Sequence, residues 1–482
     1  MYVCGPTTYN FIHLGNARAL VVFDTIRRFL AYRGFQVTYV QNFTDIDDKI
    51  INRAAEEGED PAALAVRYTR EYFRDADALR VLRADVHPKA TEHIAEMQEM
   101  ARGLLEKGVA YVLDGDVYFS VRKFPEYGKL SGRTLEEMRA GARVEVDGRK
   151  QDPLDFVLWK RAKPGEPSWD SPWGPGRPGW HLECSVMSTR YLGFGFDIHG
   201  GGSDLIFPHH ENEIAQAEAY TGEAPFARYW LHNGFVTVNE QKMSKSLGNF
   251  FIVRDLLREW PPEVLRFFLL STHYRSPLDY CTESLEAARR SFSRLRNTLD
   301  LIDEVTGGED TMPAGSLSRD TAEFRRLVLS RVAEFESAMN DDFNTALALA
   351  ALFNLAREVN AFINRHDFVQ APGTVQVLAR VRRYLVSLLD VLGLVPGEQR
   401  ILGEEHAAAL LRIIDGLSPN ERRLIPDGLP LDPSALLDLV LQARETARRQ
   451  KNYRLADRLR DELGENGIML EDTPRGVRWR LV

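Results

Sequence analysis

The chain has 482 residues, more than one core can hold when domains run to roughly 100–200 residues, so three or four units are expected. Its 44% hydrophobic and 27% charged residues suit a globular protein, with no apolar stretch near the ~20 residues that span a bilayer. A net charge of −9 argues against indiscriminate coating of nucleic acid, which rests on Lys and Arg neutralising phosphates. Three cysteines, Cys4, Cys184 and Cys281, are too few for a disulfide framework. No secretory signal opens the chain, and a cytoplasmic location is expected. Residues 444–482 hold ten Lys+Arg against seven Asp+Glu, a local net of +3 that leaves −12 for the rest.

In chain order, residues 2–4 read as a buried strand that stops at Gly5-Pro6. From about Asn16, Val22, Ile26 and Phe29 follow helical spacing up to Gly34, which suits a C-terminal cap. "QVTYVQNFTDIDDKI" then reads as a second strand. Strand, helix, strand with short connections implies a parallel α/β sheet, whose ligands settle at the carboxyl ends of the strands. Cys4, His13 and Thr44 to Asp48 therefore share one edge. Residues 96–174 change character: "GDVYFSV", "ARVEV" and "DFVLWK" are candidate strands among Pro-, Gly- and Trp-rich turns, as in an insertion. The α/β pattern resumes at "FGFDIHGGGSDLIF", with Pro208 suited to a first helical turn and Gly222 to a stop.

Beyond about 290 the chain reads as helical. One apolar stripe runs through Phe324, Val328, Val332, Phe335 and Met339, and another through Leu347, Ala351, Leu355, Val359 and Phe362. Residues 306–318 and about 393–432 read as linkers. The tail holds "DPSALLDLVLQARETARRQ", a helix near Tyr453 to Leu463, and a hairpin turning at Pro474 to Gly476 that Trp479 would pack.

Two strings carry chemistry. "HLGN", His13 to Asn16, sits where a strand-to-helix loop offers free N–H groups and a positive dipole end to phosphates, and Gly15 would let a flat base approach. Alone, it also suits a plain loop. "KMSKS" places Lys242 and Lys245 three apart in a Ser-rich loop that could close over a polyphosphate and meet its leaving charge. Paired with the first string, it points to ATP chemistry.

Together these strings resemble the paired motifs of class I aminoacyl-tRNA synthetases. Within that class "YVCGPTTYNFIHLGNAR", "QNFTDIDDKI", "GWHLECSVMS", "DIHGGGSDLIFPHHENEIAQ" and "KMSKSLGNF" resemble the cysteinyl-tRNA synthetase family, over residues 1 to about 250 and again in the tail. The resemblance implies an α/β protein: a Rossmann-like parallel-sheet catalytic domain (1–95 and 175–225) with an inserted α+β connective segment (96–174). A lysine-loop and stem-contact region (226–290), a helical bundle of the DALR type (291–395) and a linker with a small α+β anticodon-binding domain (396–482) would follow. It implies ATP with Mg2+, L-cysteine and tRNA(Cys) as partners, no membrane, and action as a monomer.

Cys4 and Cys184, with His209 and Glu213 on one helix face four residues apart, make two sulfurs, a nitrogen and a carboxylate. Read singly, the cysteines suit burial and the His/Glu pair a surface salt bridge; the family's zinc ligands fall on these four positions. Zinc would select a thiolate over a hydroxyl where shape alone discriminates by only ~1–3 kcal/mol. Cys281 lies outside the pattern and is expected to be structural. By the resemblance, His13 and Asn16 touch ATP phosphates, and Lys245 is the stronger pyrophosphate ligand of the two lysines. Gly200, Gly201, Gly202 and Asp204 take adenosine, unless Asp204 holds the substrate ammonium. Thr44 and Trp180 wall the amino-acid pocket, with packing the alternative for Trp180. Arg448, Tyr453, Asp457 and Arg460 are anticodon candidates by stacking and base-edge contacts, against a merely solvated charged helix.

Asn10 stands where the family usually has an acid, and Asn16 where class I motifs often end in histidine. Relatives carry a short segment before the first strand, whereas this chain starts within it, so the sheet edge or the start reads as incomplete. Two rivals remain: a ligase joining cysteine to a sugar amine, which would lack the last ~190 residues of helical and anticodon-type sequence, and a non-catalytic tRNA-binding paralogue, against which the intact lysines and metal ligands argue.

Overall fold

The computed structural model describes residues 1–141, 149–238, 241–242, 250–308, 315–396, 404–426, 429–430, 432–473 and 476–481. Lys245 and the "ARVEV" segment lie outside these. The chain forms two compact units, Met1–Val395 and Pro396–Val482.

The first unit opens with β1 (Tyr2–Val3), α1 (Leu14–Tyr32) and β2 (Val40–Gln41). An antiparallel sheet follows in the order β3 (Ala110–Leu113), β4 (Asp116–Phe119), β5 (Phe156–Arg161), β6 (Gly176–Pro178). Two of these, β4 and β5, match strands predicted from sequence. The other two were hidden: β3 is short and lacks a clean alternation, and β6 ends in proline. Next come β7 (Phe196–Gly202) and β8 (Ala227–Asn233), which join β1 and β2 in a parallel sheet of order β2-β1-β7-β8. β8 thus extends this sheet past residue 225, where sequence had ended it, because "ARYWLHN" carries no run of β-branched residues to mark a strand. A small sheet of β9 (Val236–Val238), β10 (Gln241–Lys242) and β11 (Leu278–Tyr280), in the order β10-β9-β11, includes Lys242.

The Pro208 expectation needs correction. Ile206–His210 is a single π-type turn broken at Phe207 (φ −137°, ψ 131°), and the α-helix runs Glu211–Thr221, with Gly222 in the left-handed cap as expected.

Three helices, Arg319–Asn340, Thr345–Ile363 and Pro372–Val391, pack with the Thr282–Thr306 helix into a bundle. The first predicted stripe is buried throughout. The second is offset at its start: Leu347 is 56% exposed, whereas Ala348, Leu352, Leu355, Val359 and Ile363 are fully buried. Contrary to the sequence reading, Thr345–Ile363 is apolar and long enough to cross a bilayer by length and composition; that buried face instead fills the bundle core. Cys281 caps the Thr282–Thr306 helix in a capping box with Ser284.

A buried ion pair ties α1 to the bundle end. Arg266, on the Pro262–Leu270 helix, is fully buried and donates to Asp24 Oδ2 at 2.6 Å and to the Leu79, Arg80 and Leu392 carbonyls. Breaking charge on one side of such a pair strands the other. Asp24→Asn, which keeps an acceptor but loses the charge, is expected to lower stability by about 1–3 kcal/mol, read as a lower urea midpoint with cysteine affinity unchanged.

In the second unit, Glu404–Asp415 and Pro419–Arg422 are helices where sequence suggested linker, and Leu410, Ile413 and Ile414 of the former belong to the unit's core. Helices Pro433–Arg449 and Tyr453–Glu465 and the hairpin β12 (Ile468–Thr473), β13 (Gly476–Leu481) complete it, with Trp479 packed on the core as expected.

Candidate active site and metal centre

The site begins where β1 ends. Cys4 N–H donates to the Gly200 carbonyl at 3.1 Å, so β1 continues against β7 until Gly5 turns it away. Gly5 N–H donates to Asn42 Oδ1 at 2.8 Å, and a Cβ at Gly5 would lie 1.7 Å from the Asn42 carbonyl oxygen. Only glycine lets the chain pass there, which places the Cys4 thiol over the carboxyl end of the sheet.

Cys4 Sγ lies 3.6 Å from Cys184 Sγ and 3.5 Å from Glu213 Oε1, and His209 Nε2 lies 3.0 Å from the same oxygen. The donor atoms of Cys4, Cys184, His209 and Glu213 all fall within 4.8 Å of one another. A tetrahedral ion with Zn–S bonds of about 2.3 Å needs its sulfurs about 3.8 Å apart, so the sulfur spacing fits. The supporting contacts fit too. Glu213 Oε2 lies 2.7 Å from His199 Nε2, and His209 Nδ1 lies 2.9 Å from His181 Nδ1, so each of these two ligands is oriented through its second polar atom. A second set, Cys4, His199, His210 and Glu213, satisfies the same spacing but leaves the Cys184 thiol unused.

The electrostatics match a site for a cation. Burial raises the Cys4 thiol well above its usual range, reinforced by Cys184 and Glu213. At Cys184 burial opposes ionisation, yet the Cys4 and His209 hydrogen bonds bring the thiol down to about 6. Glu213 is held well below the usual carboxylate range, burial being outweighed by His199 and His209. His181, by contrast, is pushed down to about 3, by burial first and by His209 second.

Sequence reasoning missed the histidines around this centre. His210 Nε2 lies 3.3 Å from Cys4 Sγ and its Nδ1 lies 2.8 Å from His232 Nε2. The signal was present, since His181, His199, His210 and His232 sit inside or beside "GWHLECS", "DIHGGG", "PHHENE" and "LHN". Their convergence is tertiary.

Trp180 begins the Trp180–Leu192 helix, and its ring stacks on His209 with centroids 4.1 Å apart while the residue stays 36% exposed. It thus packs on one of the four clustered donor residues while remaining partly exposed. Thr44 Oγ1 donates to Glu183 Oε2 at 2.6 Å, both buried, and burial raises Glu183 well above the ordinary carboxylate range.

At the head of α1, His13 is the N-cap. Its Nδ1 accepts from Gly15 N–H at 3.1 Å and Asn16 N–H at 3.3 Å, while His13 N–H donates to Asn16 Oδ1 at 3.2 Å. An imidazole whose Nδ1 accepts carries its proton on Nε2, and an amide whose oxygen accepts presents its NH2. The His13 ring thus carries its donor at Nε2 and the Asn16 amide carries its donors on the NH2 group.

The glycines at the end of β7 have a packing reason for being small. A Cβ on Gly200 would meet the Phe23 ring at 2.3 Å, on Gly201 Leu205 and His210 at 2.9 Å, and on Gly202 Asp204 Oδ1 at 2.3 Å. Asp204 itself is exposed. Lys242 pairs through its backbone with Thr237 in the β9–β10 hairpin, which leads into residues 243–249. In the second unit, Tyr453, Asp457 and Arg460 are exposed on one face of their helix, and Arg448 is exposed near the end of the preceding one.

A parallel sheet, a capping histidine at a helix head and a lysine hairpin beside it define a class I aminoacyl-tRNA synthetase. Residues 1–290 match the family model for the class I (C) tRNA synthetase catalytic domain, 334–396 that for the DALR domain, and 432–480 that for the cysteinyl-tRNA ligase anticodon binding domain. The fold is shared with methionyl-tRNA synthetase of Mycobacterium tuberculosis in complex with methionyl-adenylate (TM-score 0.63, 17% identity, 87% of this chain and 94% of that one). Cysteine--tRNA ligase of Pelotomaculum thermopropionicum is 58% identical over 100% of this chain and 95% of its own length, and that of Heliobacterium modesticaldum 55% over 100% and 94%. The chain belongs to the cysteine–tRNA ligase family.

Proposed function

We propose that the protein activates L-cysteine with ATP and transfers it to tRNA(Cys), choosing cysteine through a zinc ion held by Cys4, Cys184, His209 and Glu213. The observation that carries this is the convergence of two thiols, an imidazole and a carboxylate where β1 ends against β7, in a chain matched along its whole length by cysteine–tRNA ligases. Bound there, zinc supplies a Lewis acid that prefers deprotonated sulfur to a hydroxyl, which adds to the ~1–3 kcal/mol that fit alone provides.

The chain's own residues do the rest. Thr44, anchored by Glu183, and Trp180 wall the amino-acid pocket. Gly200, Gly201, Gly202 and Asp204 line the adenosine side, and Gly15 admits the base. His13 Nε2–H and the Asn16 amide donate to the phosphates of ATP, whose charge Mg2+ reduces. The cysteine carboxylate attacks the α-phosphorus in line, and pyrophosphate leaves toward Lys242 and, more strongly, Lys245. The tRNA's terminal hydroxyl then attacks the adenylate carbonyl and releases AMP.

In this reading residues 1–95 and 175–225 activate cysteine with β8 completing their sheet, 96–174 form the connective insertion, and 226–290 carry the lysine loop. Residues 291–395 form the bundle and 396–482 meet the anticodon; the protein works as a cytoplasmic monomer. Cysteine-dependent ATP–pyrophosphate exchange tests the first step, and its absence would contradict the assignment. The exposed tail residues have a separable role. A double variant Tyr453→Ala, Arg460→Ala is expected to raise KM for tRNA by ~10-fold, given that base stacking is worth about 1–3 kcal/mol, while exchange stays at the parent rate.

A further inference from the structure

We propose that Arg18 is a positioning residue for the activation step, holding the base of the loop that carries Lys242 and Lys245. The inference rests on the phosphate role assigned to those lysines above.

α1 grips both stems of that loop. On the far side of the loop, Leu14 N–H donates to the Phe251 carbonyl at 3.0 Å, Val253 N–H donates to the Ile12 carbonyl at 3.1 Å, and the His13 ring packs on Phe250 at 4.8 Å. On the near side the grip is Arg18, one turn further along α1 and 0% exposed. Its Nη1 donates to the Gly234 carbonyl at 3.2 Å and the Phe235 carbonyl at 2.8 Å, the two residues that precede β9. Its Nη2 faces the Ser276 carbonyl at 2.5 Å, the Tyr274 carbonyl at 3.3 Å, the His273 carbonyl at 3.4 Å and Thr272 Oγ1 at 3.3 Å, all in the segment that precedes β11.

β9 and β11 pair in parallel, Val236 with Leu278 and Val238 with Tyr280, and β10 leads from β9 into the lysine segment. One guanidinium thus fixes where both strands start, relative to the helix whose head carries His13 and Asn16. The two backbones pass so closely that a Cβ on Gly234 would lie 2.5 Å from the Ser276 carbonyl oxygen.

The chemistry of these contacts separates positioning from an ordinary ion pair. Every acceptor just named is neutral, and burial pulls the guanidinium down to about 10. A buried cation compensated by these neutral carbonyl and hydroxyl oxygens is costly unless the geometry is well satisfied, so its planar fork is used here to join three segments. Lysine, a point charge on a flexible stem, cannot span both sets of carbonyls.

The test is a double-mutant cycle in ATP–pyrophosphate exchange on the full-length, metal-loaded enzyme. Arg18→Met is expected to lower kcat by ~50-fold, as misplacement by about 1 Å does, with KM for cysteine and metal content within about twofold of the parent. In a Lys245→Ala background the same change is expected to cost less than ~3-fold, because the two residues act through one loop. Arg18→Lys, which keeps the buried charge, should lose an intermediate amount and serves where the methionine variant fails to fold. Equal losses in both backgrounds, an unchanged kcat, or a loss of metal and cysteine binding together with kcat would each overturn the proposal. If Lys245→Ala alone leaves exchange intact, the role of the lysines fails and this inference goes with it. An active-site defect in Lys245→Ala with none in Arg18→Met would remove the inference and leave the lysines standing.

Discussion

Cys184→Ser is expected to lose most of its zinc and to lower the preference for cysteine over serine by ~10²–10³-fold. A site built to hold one group rejects its analogue by ~10⁴–10⁵-fold, whereas a pocket that discriminates by size gives only ~10–200-fold. Serine at 184 keeps the volume of the position but offers a hydroxyl where soft metals favour a thiolate. Cys184 is 1% exposed and its sulfur is 3.6 Å from that of Cys4, so the change removes half of the sulfur donors at a single buried point. Two readouts should move together: metal content after exhaustive dialysis, and the ratio of kcat/KM for cysteine- and serine-dependent pyrophosphate exchange. A variant that lost its metal and kept the parent ratio would show that fit makes the choice.

Lys245→Ala is expected to cost ~10²–10³-fold in kcat for exchange, the usual effect of removing one group aimed at charge that develops in the transition state. KM for cysteine should stay within about twofold, because the lysine meets the leaving pyrophosphate and not the amino acid. Lys242→Ala should cost less, since Lys245 is the stronger ligand of the pair in this reading. A loss that appeared in KM for cysteine, with kcat preserved, would place Lys245 in the amino-acid pocket instead.

Much of this was legible in the sequence because the informative residues lie in short strings at the ends of predictable elements. Cys4 follows a strand, His13 precedes a helix and Thr44 to Asp48 end a second strand, so α/β topology brought these to one edge, while His209 and Glu213, four apart on a helix, joined Cys4 and Cys184 through the family resemblance. The structure brings the Cys4, Cys184, His209 and Glu213 donors to within 4.8 Å of one another. What stayed hidden depended on tertiary packing. His199 and His181 orient Glu213 and His209 from different strands and helices, and no spacing rule links them. Glu183 reads as an ordinary helix residue until its hydrogen bond to Thr44 is seen. Arg18 looks like a solvated helix charge, yet it is buried against carbonyls some 220–260 positions later in the chain. The packing at the glycines of β7 was equally hidden, since Phe23, His210 and Asp204 lie where a Cβ on Gly200, Gly201 or Gly202 would point.

Selection of the substrate's sulfur by a metal is tested most directly by following labelled cysteine onto purified tRNA(Cys), with the protein as isolated, after chelation, and after zinc is restored. The expected result is charging that falls with the metal content and returns with zinc, together with a loss of cysteine-over-serine preference in whatever activity survives chelation. Protein stripped of zinc that charges tRNA with cysteine at the original rate, and still excludes serine, would contradict it.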